Sequence, residues 1–128
     1  MIFDTTFLID LHREAIRKKP ARAFSFLERH QEMAVRISLV TYAEFAEGFG
    51  PESCDSFLDL IRSYEVVDIT TAVAWRYAQL SRELRKLGAR IGDNDLWIAA
   101  TAIDAEAPIV TRDQKHFLRV PGFEIIPY

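Results

Sequence analysis

Three aspartates stand where short apolar segments of the chain end or begin. Asp4 closes the apolar start of the chain, Asp113 follows the segment 109–111, and Asp95 precedes the apolar run 96–103. Ligand sites of open α/β sheets form outside the carboxyl ends of the strands, so the three carboxylates are predicted to converge on one cleft. Each of them, taken alone, is equally typical of a helix cap or a turn.

A fourth carboxylate, Glu44, lies in a predicted helix between the apolar residues Ala43 and Phe45. A Glu within an apolar arc is costly unless it is paired or coordinates an ion. Two interpretations are open: Glu44 joins the three aspartates, or it pairs with a buried arginine such as Arg82. Glu47, three residues further on, is predicted to be the exposed acid of this helix.

Carboxylates crowded into one cleft repel each other unless a cation or a proton compensates them. A site made of oxygen ligands favours the hard cations Mg²⁺ and Mn²⁺. Such a site suits attack of a metal-activated water on a phosphodiester. No Ser or Cys stands in a convincing triad, and the histidines His12, His30 and His116 lack ligand spacing, so they are predicted to be surface residues.

The composition is that of a soluble globular protein: 128 residues, 49% hydrophobic and 27% charged, which predicts one domain spanning 1–128. The single cysteine, Cys54, excludes an internal disulfide and is predicted to be a small helix residue. Neither a signal peptide nor a membrane span is recognisable, so the predicted location is the cytoplasm without membrane attachment.

Strands alternate with helices along the chain, which predicts an α/β fold with a mostly parallel central sheet flanked by helices. Asp93, Asn94 and Asp95 are predicted to cap the apolar helix 96–103, and Gly88 is predicted to end the longest helix. An apolar stripe on that longest helix is predicted to face the core: Val73, Tyr77, Leu80, Leu84 and Leu87. The predicted strands are 1–4, 34–38, 65–69, 109–111 and 123–126, and the predicted helices are 6–14, 21–30, 40–48, 52–64, 70–88, 96–103 and 114–118.

Four stretches together resemble one known family: MIFDTTFLIDL, YAEF, IGDNDLWIAATA and IVTRDQKHFLRVPGFEIIPY. They are similar to a PIN-domain ribonuclease, specifically the VapC-type toxin of a type II toxin–antitoxin pair. The resemblance covers essentially the whole chain in the family's order, and it implies a single PIN-like domain.

The resemblance assigns the family's four acids to Asp4, Glu44, Asp95 and Asp113, which would bind the metal and carry catalysis. It implies that two hydroxyls support these acids, Thr6 beside the first and Thr111 before the fourth. It also implies a Mg²⁺- or Mn²⁺-dependent endoribonuclease acting on structured RNA, such as a tRNA or a ribosomal RNA loop. The partners implied are a VapB-type antitoxin and a second copy of the chain.

One position departs from the family, in which Asp93 is often replaced by Pro. Asp93 is either the helix cap or a residue that holds a water next to the metal. Both roles of Asp93, as helix cap and as a residue that holds a water next to the metal, stay open at the level of the sequence.

The net charge of −3 raises the question of how RNA would be held. Basic residues concentrate in the segments 12–22 and 76–92, which form either local basic faces or merely solvated helix surfaces. RNA contacts are predicted for Arg82, Arg85, Lys86 and Arg112, with the segment 12–22 as the next candidate.

Two other classes of function compete with the nuclease. A phosphatase that forms an aspartyl phosphate needs a second Asp two residues after the first, where this chain has Thr6. A non-catalytic PIN-like module that binds RNA or protein predicts an incomplete set of acids, whereas all four are present here.

Overall fold

The central sheet of the computed structural model, which describes all 128 residues, has five strands. Every neighbouring pair is parallel, so the predicted mostly parallel sheet is confirmed. The strands are shorter than predicted and lie in the order β3-β2-β1-β4-β5. They are β1 Ile2–Phe3, β2 Arg36–Ser38, β3 Glu65–Val67, β4 Ile109–Val110 and β5 Ile125–Ile126.

Seven α-helices connect and cover the strands. The predicted helix 52–64 is a 3₁₀ turn, Pro51–Ser53, followed by a shorter helix that begins at the exposed Cys54. No helix combines the length and the hydropathy that crossing a bilayer requires. The helices are α1 Thr5–Arg17, α2 Arg22–Arg29, α3 Leu39–Ala46, α4 Cys54–Ile61, α5 Thr71–Lys86, α6 Asp93–Asp104 and α7 Gln114–Phe117.

The two faces of the sheet bury separate hydrophobic cores because successive side chains of a strand point to opposite sides. Ile2 and Ile109 belong to the core under α5, α6 and α7. Phe3 and Val110 belong to the core under α1, α2, α3 and α4. The central strands are therefore apolar on both faces, as parallel sheets require, and their polar residues stand only at the strand ends.

Helix α6 lies in the centre of the first core. Its residues Ala99, Ala100 and Ala102 are completely buried, and small side chains allow α5 and the sheet to approach closely. The predicted cap is wrong in detail: Gly92 occupies the N-cap position without a side-chain hydrogen bond, and Asp93 is already the first helical residue.

Helix α5 ends as predicted at a glycine. Gly88 has a φ of 63°, its N–H donates to the carbonyl of Arg85, and the N–H of Ala89 donates to the carbonyl of Leu84. This pair of bonds is a Schellman motif. Leu87 is 66% exposed, so its predicted place on the buried stripe is wrong, because the helix has already ended there.

Candidate active site

An acid cleft of about 330 Å³ opens at the carboxyl ends of the central strands. The fold brings there all four acids singled out in the sequence, and it adds Glu47 as a fifth. Asp4 follows β1 directly, Asp113 follows β4, Glu44 and Glu47 come from α3 and its C-terminal end, and Asp95 comes from the first turn of α6. Five carboxylates that share one small cleft give it a strongly negative potential.

Asp4 is the most buried of these acids, with 4% of its surface exposed. Its Oδ1 accepts hydrogen bonds from the hydroxyl of Thr6 at 2.6 Å and from the N–H of Phe7 at 3.1 Å, which caps α1. Its Oδ2 accepts a bond from the hydroxyl of Thr111 at 2.7 Å. Burial raises the pKa of Asp4, and these hydrogen bonds to the charged form oppose the rise.

Thr111 connects two of the acids. Its buried hydroxyl donates to Asp4 and accepts the backbone N–H of Asp113 at 2.9 Å. The end of β4 is therefore fixed relative to the end of β1 by a side chain as well as by the sheet. Asp113 itself is exposed, which leaves its carboxylate free to face the cleft.

Glu44 is held by two donors that the sequence interpretation did not name. The hydroxyl of Thr5 donates to its Oε2, and the side-chain amide of Asn94 donates to its Oε1 at 2.7 Å. Arg82 is exposed and forms no ion pair, so the alternative pairing of Glu44 with Arg82 is wrong. Thr5 and Asn94 are each adjacent in sequence to a predicted site residue. That adjacency is the signal from which their place in the site could have been predicted.

His116 is a third residue whose place in the site the sequence interpretation missed. Its Nδ1 lies 2.9 Å from Oδ2 of Asp95, within hydrogen-bond distance, and 3.7 Å from Oδ2 of Asp113. Burial raises the pKa of Asp95, contacts with His116 oppose this rise, and the charges of Glu44 and Asp113 add to it. Asp95 therefore lies close enough to Glu44 and Asp113 for their negative charges to disfavour its ionised form.

The other two histidines are partly buried rather than surface residues. His30 stacks on Phe26 with ring centroids 4.2 Å apart, and His12 packs against Phe45 and Phe49. Both therefore contribute packing, and neither lines the acid cleft.

Asp93 does not line the acid cleft. Its carboxylate accepts a hydrogen bond from the hydroxyl of Tyr77 at 3.3 Å, and the ring of Tyr77 stacks on Trp97 at 4.0 Å. Asp93 therefore links the start of α6 to α5 through Tyr77. This role differs from the predicted role of helix cap.

The four basic residues expected to contact RNA lie in two places. Arg82, Arg85 and Lys86 are exposed on α5 and do not line the acid cleft. Arg112 lies beside the cleft and forms an ion pair with Asp10. An RNA contact by any of them stays a prediction.

The cleft fits a hard divalent cation by its chemistry. Its donors are carboxylate oxygens, and mutual repulsion among the acids is relieved by a cation. No three of the His, Cys, Asp or Glu side chains already stand around one point as a finished metal site. Glu47 and Asp113 are the exposed acids of this cleft.

The fold and the cleft together define an α/β protein with an acidic site at the edge of a parallel sheet. The chain belongs to the PIN domain family, whose model matches residues 1–122. Ribonuclease VapC2 of Rickettsia felis is 34% identical over 114 residues, which cover 84% of this chain and 85% of that protein. Ribonuclease VapC1 of Methanocaldococcus jannaschii is 33% identical over 93 residues, which cover 72% of this chain and 68% of that protein.

Solved structures agree with these relatives. The crystal structure of VapBC2 from Rickettsia felis bound to a DNA fragment from its promoter matches with a TM-score of 0.82 and 30% identity, over 100% of this chain and 99% of that one. The structure of VapBC-1 from nontypeable Haemophilus influenzae matches with a TM-score of 0.81 and 27% identity, over 99% and 98% of the two chains.

Proposed function

We propose that the protein is the toxin of a VapBC-type toxin–antitoxin pair, an endoribonuclease that cleaves RNA at the acid cleft. The observation that carries this proposal is the convergence of Asp4, Glu44, Asp95 and Asp113 on one cleft of a PIN domain. The ribonuclease names of its relatives over most of their length support the same activity.

The four acids would hold Mg²⁺ or Mn²⁺, which supplies an activated water and stabilises the leaving oxygen when it is bound. The chain's own polar groups keep those acids in place. Thr6 and Thr111 orient the two oxygens of Asp4, and His116 orients Asp95. Oriented carboxylates lose less freedom when they bind an ion, so these neighbours contribute to metal affinity.

The decisive experiment is cleavage of total RNA by the purified protein with Mg²⁺ or Mn²⁺ and with excess EDTA, followed by mapping of new 5′ ends. We expect discrete cleavage sites in structured RNA, such as a tRNA or a ribosomal RNA loop, only when the metal is present. Equal cleavage in EDTA by protein free of contaminating nuclease would contradict the proposal.

Metal binding is also expected to stabilise the fold. A cation that binds only the folded state adds about 2.7 kcal/mol to the free energy of unfolding at a hundredfold excess over Kd, and it thereby raises the melting temperature. We expect Mg²⁺ or Mn²⁺ to raise the melting temperature of the wild type, and Asp95→Asn to weaken this rise. Thermal unfolding with and without metal measures both effects, and identical melting curves would show that the acids hold no cation.

The same stabilisation is expected to depend on pH. Burial raises the pKa of Asp4 in the metal-free fold, so the stability that its protonation contributes is present at acid pH and lost as pH rises through that raised pKa. Metal binding requires the ionised form. The metal-induced rise in melting temperature should therefore shrink as pH falls, and a rise that grows on acidification would refute this reading.

The partners follow from the toxin proposal. Neighbouring structures are VapBC complexes, which supports a VapB-type antitoxin as the partner of this chain. A homodimer and a cytoplasmic location complete the proposal. Co-purification with the product of an adjacent small gene, followed by measurement of the mass of the complex, tests the partner and the stoichiometry together.

A further inference from the structure

A second groove, of about 470 Å³, lies beside the acid cleft between α1, the start of α2 and Arg112. We call it the basic groove. Ala21 is its only apolar lining residue, and two acids also line it, Asp10 and Glu14. The remaining lining residues are cations, namely Arg13, Arg17, Lys19, Arg22 and Arg112.

Both acids of the basic groove are already engaged. The carboxylate of Glu14 accepts the N–H groups of Ala21 at 2.8 Å, Ala23 at 3.1 Å and Phe24 at 3.0 Å, and so caps α2 in place of a side chain at the usual capping position. Asp10 pairs with Arg112 and accepts the hydroxyl of Tyr128 at 3.0 Å.

The other four cations have no acidic partner. Arg13, Arg17, Lys19 and Arg22 are exposed, and none of them forms an ion pair within the protein. Four like charges around one concave surface repel each other, and an anionic ligand relieves that repulsion. The basic groove is therefore built to receive negative charge from outside the chain.

The basic groove and the acid cleft are both lined by residues of helix α1. Thr5 and Thr6 at the start of α1 line the acid cleft, and Arg13 and Arg17 further along α1 line the basic groove. The distance from Thr6 to Arg17 along the helix is about 16 Å, at a rise of ~1.5 Å per residue. Arg112 of the basic groove directly precedes Asp113 of the acid cleft in the chain.

We propose that the basic groove binds the phosphate backbone of the RNA strand whose scissile bond lies in the acid cleft. This inference rests on the proposed ribonuclease function. Guanidinium groups match phosphate oxygens in a fork geometry, and several spaced cations suit a repeating polyanion. A helix of a partner protein that binds in a groove needs apolar pockets for its apolar side chains. The only apolar lining residue of the basic groove is Ala21, which favours RNA over such a helix.

The test measures RNA affinity against salt concentration for full-length protein carrying Asp4→Asn, which prevents cleavage during the measurement. One variant adds Arg13→Gln, Arg17→Gln and Arg22→Gln. A charge-matched control adds Arg29→Gln, Arg62→Gln and Arg119→Gln, and a third variant changes Arg82, Arg85 and Lys86 to Gln. Circular dichroism melting confirms that each protein is folded before binding is compared.

We expect the basic-groove variant to lose at least about tenfold in affinity at moderate salt and to flatten the salt slope by about 2, since each lost contact to a single strand removes ~0.7. The control should change much less. A loss no larger than in the control, or a loss confined to the variant of Arg82, Arg85 and Lys86, would overturn the proposal.

Two further measurements distinguish this proposal from binding of an acidic protein segment and from failure of the proposed ribonuclease function. Weakened binding of a poly-glutamate peptide together with unchanged RNA affinity would assign the basic groove to an acidic protein segment and overturn the RNA proposal. Failure of the proposed function appears separately, as the absence of metal-dependent RNA cleavage by the protein with Asp4 intact. Groove-dependent RNA binding by such a protein would still support the basic groove as a phosphate site.

Discussion

Asp95→Asn is expected to reduce RNA cleavage by at least about 10³-fold while the protein stays folded. The substitution keeps the shape of the side chain, and Oδ1 of an asparagine still accepts a hydrogen bond from His116. It removes one negative charge from a proposed cation site, where charge stabilisation supplies several kcal/mol and each 1.36 kcal/mol is about tenfold in rate. Single-turnover cleavage of a mapped RNA target measures the loss.

A matched control is available on the same helix. Asp104 is the last residue of α6, exposed and outside the acid cleft, so Asp104→Asn removes an equal charge from the same element. Its cleavage rate should stay within about twofold of the wild type. If both substitutions lower the rate equally, the effect of Asp95→Asn is one of overall charge and the acid cleft is not the catalytic site.

Asp4→Asn should lose as much cleavage activity as Asp95→Asn, but it tests the role of the lost charge less directly. Asp4 accepts three hydrogen bonds on its two oxygens, and the amide nitrogen of an asparagine cannot accept one. Some destabilisation is therefore expected beside the loss of charge. Comparing its melting temperature with that of Asp95→Asn separates the two effects.

The places of the principal acids could be predicted because they follow from local sequence. Asp4 and Asp113 come after short apolar segments that are typical of buried strands, and Asp95 stands before a helix too apolar to be exposed. Parallel strands then bring their carboxyl ends to one edge. The parallel sheet and the shared cleft both followed from that reasoning.

The contacts around the acids could not be predicted because they depend on packing between distant elements. His116 reaches Asp95 only because the short helix α7 folds back against α6. Arg82 carries the right charge for Glu44, but its direction from α5 is set by which face of that helix is buried. Asp93 has the right residue type for a cap, yet Gly92 occupies the N-cap position and Asp93 is already the first residue of α6.

Thr111→Val is expected to lower both the stability of the fold and the metal-dependent activity, because Thr111 orients two of the acids. The isosteric valine removes a buried hydroxyl that donates to Asp4 and accepts from the N–H of Asp113. A buried polar group left without its partner costs about 1–3 kcal/mol of stability. Loss of a group that orients a metal ligand typically lowers metal affinity or activity by about 10–100-fold.

Thr111→Ser is the matched variant because it retains the hydroxyl and loses only a methyl group. Serine should keep most of the activity and most of the free energy of unfolding, and valine should lose both. Denaturant unfolding and metal-dependent cleavage, measured on the same preparations, separate a structural effect from an orienting one. If valine is destabilised but cleaves RNA at the wild-type rate under folding conditions, the hydroxyl supports the fold alone. If serine and valine lose activity equally, the methyl packing of Thr111 matters and its bridge between Asp4 and Asp113 does not.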